Sequence, residues 1–202
     1  MAWADVITII KDVVISGAAI ATAYAAVTGL NKWSSELKGK ANFDVARDLL
    51  RAVYKIRNEV EFCRSPMIFA HEFPDWYRGS LGKHDDDEVG KAWGHAYRVR
   101  FVPVADAVSE FDLKTLEPEV LWGQQIKEKS QELRQLVRNL QVAMEAVVRD
   151  KYSGGEDFKD RDFGKSMRSI VSSSTKGDEF GQKVLAAVAD LESAIRPHLP
   201  KN

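Results

Sequence analysis

Apolar residues along this chain recur at the three-and-four spacing of a helix, and no segment shows the alternation of a strand. The longest periodic segment runs from Pro118 to about Tyr152, through Trp122, Ile126, Leu133, Leu136 or Val137, Leu140, Met144 and Val147. Pro118 suits a first helical turn, where its missing N–H costs nothing, and Ser153-Gly154-Gly155 suits a stop. At 1.5 Å per residue this segment makes a spine of about 50 Å for a helical bundle.

Other stretches carry the same signature. Asn42 is placed to cap a helix through Cys63 that presents Phe43, Ala46, Leu50, Val53, Ile56 and Val60, with Gly39 as the break before it and Ser65-Pro66 after it. The acidic run Asp85 to Glu88 sits where a helix start favours negative charge. The following helix, Glu88 to Glu110, places Val89, Trp93, Ala96, Tyr97, Arg100, Val104 and Ala107 near one face, with a kink at Pro103. A short helix is expected around Phe163 to Val171, then a joint at SSSTKG. A last helix capped by Asp178 carries the stripe Phe180, Val184, Val188, Leu191 and Ile195. Residues 66–84 have no period and read as an ordered, aromatic-rich loop with one helical turn. The fold class is all-α, an antiparallel helical bundle over residues 35–202.

Ahead of the bundle stands a different pattern. From Val13 to Leu30 the chain reads VVISGAAIATAYAAVTGL, eighteen residues without a charge, the lower limit for a membrane-spanning helix. Trp3 and Trp33 bracket it at a helical separation of about 45 Å, which suits the two interfaces of a bilayer. Residues 1–34 are therefore expected to form a single membrane-spanning, or at least long apolar, helix. Gly17, Ala21 and Ala25 repeat at four-residue spacing, the small-residue pattern of helices that associate in lipid. Two other readings compete. Ala23-Tyr24-Ala25 resembles a signal-peptide cleavage site, but the residues before it carry no net positive charge. A helix buried in a soluble bundle would be apolar too.

Flanking charge orients such a span. Asp5, Lys11 and Asp12 precede it, while Lys32, Lys38, Lys40, Arg47 and Arg51 follow, which puts the amino terminus outside and the bundle in the cytoplasm. From Lys32 to Arg64 eight Lys/Arg face five Asp/Glu, an excess that anionic headgroups would attract. Formal net charge over the whole chain is −1, which argues against nucleic acid as a partner. The single cysteine, Cys63, cannot form an internal disulfide, as befits a reducing compartment, and its place near an apolar face marks a structural thiol.

Candidate chemistry is sparse. His84, Asp86 and Glu88 are the only weak candidates for a metal site, and a solvated helix start explains the same residues. His71-Glu72 opens like a zinc-protease motif, but Phe73-Pro74 follows and breaks the required helix. Gly79-Ser80-Leu81-Gly82-Lys83 superficially resembles a phosphate loop without its spacing or its preceding strand. No catalytic residues and no cofactor are expected. Phe73, Trp76 and Tyr77, on the irregular loop, form the candidate partner surface. The functional expectation is a membrane-anchored, self-associating interaction or scaffold protein, with the lipid bilayer, a second copy and a further protein as partners. A pore-forming effector and a metal-dependent protein using His84–Glu88 are the alternatives.

Overall fold

The structure, a computed structural model, describes residues 2–78, 84–173 and 177–199, except for the side chains at 2, 4–10, 12–14, 19 and 35. Among the described residues every regular element is helical. The principal helices are α1 (Ala2–Cys63), α2 (Asp75–Arg78), α3 (Asp86–Trp122), α4 (Gln124–Tyr152), α5 (Arg161–Val171) and α6 (Glu179–Ile195). The chain divides into two compact units, 1–44 and 45–202.

The second unit is an up-and-down bundle whose register can be followed through its ion pairs. Asp48 and Lys55 on α1 meet Lys114 and Glu110 on α3, so the two helices run antiparallel. Arg134 on α4 meets Asp112 and Glu119 on α3. Lys129 on α4 meets Asp190 on α6, and Arg64 at the end of α1 meets Asp178 at the start of α6. α5 packs on α4 and α6. Between them the helices enclose Leu49, Val53, Ile56, Phe111, Ile126, Leu133, Leu140, Leu191 and Ile195, all fully buried. At about 1.5–3 kcal/mol for each large apolar side chain removed from water, this core supplies the main stabilisation of the unit.

The periodic stripes of α4 and α6 are buried as their spacing predicts. Asp85 and Asp178 act as caps: Asp85 accepts from the Glu88 amide at 2.8 Å, and Asp178 from the Gly181 amide at 3.0 Å. Three boundaries differ from expectation. Gly39 does not break the chain, and α1 continues through it and Asn42 to Cys63. One glycine costs a helix only about 1 kcal/mol relative to alanine, and no proline follows to stop it. α3 does not end at Glu110, nor does Pro118 open the spine. Pro103 and Pro118 both lie inside α3, and the break comes at Gly123, whose φ of 81° and ψ of −157° suit glycine alone. Leu49 rather than Leu50 takes the central core position of its turn.

In the first unit, the described side chains from Ile15 to Ala41 are exposed. Among the described residues no helix is long and apolar enough to cross a membrane. Val13, Val14 and Ala19 of the uncharged run lie outside the described side chains.

Candidate functional site

Along the amino-terminal helix the large apolar side chains of Ile15, Ile20, Tyr24, Val27 and Leu30 are more than half exposed, as are the bracketing Trp3 and Trp33. Gly17, Ala21 and Ala25 are exposed on the same helix, and a Cβ placed on Gly17 would meet nothing within 4 Å. Thr22 and Thr28 turn inward on the backbone. Thr22 Oγ1 donates to the Ala18 carbonyl at 2.8 Å, and Thr28 Oγ1 to the Tyr24 carbonyl at 2.8 Å. Such back-bonding satisfies a hydroxyl without water.

The acidic run does not gather a ligand set. His84 Nδ1 lies 2.9 Å from Glu88 Oε2, but Asp86 turns toward Gly154, where a Cβ would come within 2.8 Å of Asp86 Oδ2. Asp87 pairs with Lys91, and Asp85 is occupied as the cap. Among the described residues no three His, Cys, Asp or Glu side chains are grouped to hold a metal ion. Residues 79–83, the phosphate-loop resemblance, lie outside the described residues, as do 174–176 of the SSSTKG joint.

The candidate partner surface is an aromatic cluster that packs mainly on itself. Phe73 stands edge-on to Trp93 at 5.4 Å and lies 5.3 Å from Tyr77, which stacks on His84 at 4.4 Å. Phe73 and Tyr77 are half-buried, and only Trp76 of the three is exposed. His84 Nε2 is buried beside these rings with no hydrogen-bond partner among the described residues.

What fixes this loop is a pair of charges. Arg100, 3% exposed, reaches from α3 into the loop after α1. It donates to the Ser65 carbonyl at 2.6 Å, to the Met67 carbonyl, to the Cys63 carbonyl at 3.5 Å, and to both carboxylate oxygens of Glu72. Glu72 also accepts from the Phe69 amide at 2.8 Å. The guanidinium holds the Glu72 carboxyl below the usual carboxylate range despite its burial. Arg64 makes a second clamp at the same end. It donates to the Ile170 carbonyl at 2.7 Å and the Ser169 carbonyl at 3.2 Å, and grips the Asp178 carboxylate at 2.6 and 3.0 Å. Its guanidinium lies over the Phe180 ring, 4.8 Å from the centroid. Asp178 is likewise held below its ordinary value, chiefly by Arg64.

Cys63 sits between the clamps, 1% exposed, with Sγ 3.8 Å from Met144 Sδ. Burial pushes its thiol up to about 12, so a thiolate is disfavoured and a nucleophilic role with it. Burial likewise raises the Tyr97 hydroxyl to about 12. Sequence reasoning placed Arg100 near the apolar face of its helix but gave it no partner, and it set Glu72 aside with the failed protease motif. A charge within an apolar stripe is the signal that points to such a buried pair. Compared with protein-family models, curated proteins and solved structures, the chain matches none of them.

Proposed function

We propose that the protein is a membrane-tethered helical bundle. On this reading its amino-terminal helix enters a bilayer, associates there with copies of itself, and holds the bundle at the cytoplasmic face as an interaction module. The reading rests on one observation above the others: an uncharged run of eighteen residues belongs to the part of α1, before Asn42, whose described apolar side chains are exposed. In water each exposed Ile, Val or Leu forgoes about 1.5–3 kcal/mol of burial. Hydrocarbon supplies that burial, and the self-bonded Thr22 and Thr28 hydroxyls lower the cost of leaving water.

Two further features support it. The bundle end at which the chain enters residues 45–202 carries Leu113, Leu116, Val120 and Leu121, all more than half exposed. Exposed Lys32, Lys38, Lys40 and Arg51 give the sequence after the run a positive character suited to anionic headgroups.

The test is fractionation of cells expressing the full chain with a reporter at its carboxyl terminus. The protein is expected to float with membranes, to resist alkaline carbonate and high salt, and to dissolve in detergent, with the reporter facing the cytoplasm. Intact protein in the detergent-free soluble fraction would overturn the tether. Self-association has its own readout. Because Gly17 has open space around it, Gly17→Leu with Ala21→Leu should abolish detergent-resistant oligomers while leaving helix content unchanged.

A further inference from the structure

The clamped end of the bundle contains a cleft whose lining combines aromatic rings with cationic side chains. It measures about 240 Å³ and lies among the loop after α1, the first half of α3, the end of α4 and the end of α5. The cleft is open to solvent on one side and has room for about eight waters. Its apolar wall is Ile68, Trp93, Tyr97, Val147 and Val171. The rings of Trp93 and Tyr97 lie 5.7 Å apart along one side of α3.

The charged residues of the lining are all cations: Arg100, Lys151 and Arg168. They are not equivalent. Arg100 is neutralised by Glu72, and its donors are occupied by carboxylate and carbonyl oxygens. Arg168 gives one nitrogen to Asp150 at 2.9 Å, while its side chain remains half exposed. Lys151 has no carboxylate partner among the described residues and rests over the Trp93 ring, 4.9 Å from its centroid. Pro66 and the hydroxyl residues Ser65 and Ser172 complete the lining. An apolar cleft with a few convergent polar groups is the usual form of a small-molecule site. Here the uncompensated charge is positive and the wall is aromatic.

The walls are also tied in place. Arg100 ties Ser65 and Met67 to α3, and Arg64 ties the end of α5 to the start of α6. Those two buried clamps fix the loop and the end of α5 in place beside the cleft, so a ligand would find a preorganised site.

We propose that this cleft binds a small aromatic carboxylate, its ring against Trp93 and Tyr97 and its carboxylate on Lys151 and Arg168. The proposal is independent of the membrane reading, because the same full chain can be assayed with or without detergent.

The test titrates full-length protein with naphthalene-2-carboxylate and with its neutral counterpart naphthalene-2-carboxamide, followed by calorimetry against a detergent blank. The carboxylate is expected to bind saturably and roughly tenfold or more tighter than the amide, as a charge-assisted hydrogen bond requires. Lys151→Met should remove that preference while leaving amide binding and the unfolding midpoint in place. Ser172→Trp, which fills the cleft from a partly exposed loop position, should abolish binding of both compounds. Absence of saturable carboxylate binding to the folded protein would overturn the proposal. So would equal affinity for the two compounds, or carboxylate binding that survives both substitutions.

Discussion

Removing the carboxylate of Glu72 should destabilise the bundle more than any change of equal size on its surface. Glu72→Ala leaves Arg100, at 3% exposure, with a buried charge and three carbonyl partners but no counter-ion. Breaking a buried pair from one side costs about 3–5 kcal/mol. For a folding unit of this size each kcal/mol lowers the melting midpoint by about 2–4 °C, so a fall of roughly 12 °C is expected. Glu72→Ala also releases the Phe69 amide, which now donates to the carboxylate at 2.8 Å. Circular dichroism of the full chain at pH 7, in urea and on heating, measures both quantities. Arg100→Met should cost a comparable amount, because it strands Glu72 and the Ser65 and Met67 carbonyls together. The double variant should then fall well short of the sum, as expected of groups sharing one network. If either single change costs less than about 1 kcal/mol, the scale of a weak surface pair, the clamp does not hold the loop and the reasoning fails.

Further outcomes follow from neighbouring features. Gly90→Ala should destabilise by about 1–3 kcal/mol in chemical unfolding, since its Cβ would fall 2.3 Å from the Tyr152 ring where α3 and α4 cross. A neutral or stabilising effect there would mean the two helices separate easily. Cys63, buried and raised to about 12, should resist iodoacetamide at pH 8 in the native protein and react fully in urea. Glu72 and Asp178 have depressed folded values, so they bind fewer protons folded than unfolded. Their contribution is complete above their unfolded values of about 4.3 and 3.9 and is lost as pH falls through the lower folded ones. Stability should therefore drop below about pH 4.5, and Glu72→Gln should flatten that fall when midpoints are compared from pH 3 to 7.

The sequence made some parts of this molecule legible and not others, for identifiable reasons. Buried stripes on α4 and α6 announce themselves because each apolar position has a neighbour three or four residues away. Asp85 and Asp178 are readable as caps because capping is local. Gly39 and Pro118 misled, since a breaker residue only lowers the stability of a helix that surrounding turns sustain. Gly123 stops α3 through a backbone conformation that spacing does not reveal. The pairings of Arg64 and Arg100 were not legible because the partners lie 28 to 114 residues away, at Glu72, the end of α5 and Asp178. The cleft draws its walls from four segments, none of which carries a motif alone.

The amino-terminal helix offers the sharpest perturbation of the proposed tether, because its expected gain in lipid is small. The six strongly apolar residues of the uncharged run, Val13, Val14, Ile15, Ile20, Val27 and Leu30, contribute about −0.3 to −0.6 kcal/mol each on an insertion scale, together roughly −2 to −3.5 kcal/mol. One aspartate at the centre of the helix adds about 2.5–3.5 kcal/mol, enough to cancel the whole gain. Ala23→Asp is the suitable change: Ala23 is exposed, central to the run and off the Gly17, Ala21 and Ala25 row. It should move the intact protein from floated membranes to the soluble fraction, while Ala41→Asp, beyond the run, should leave it in place. The bundle core begins at Ala46, so neither change touches it, and both variants should keep the native unfolding midpoint. Ala23→Asp protein that still floats with membranes would mean the helix does not hold the chain there by entering hydrocarbon.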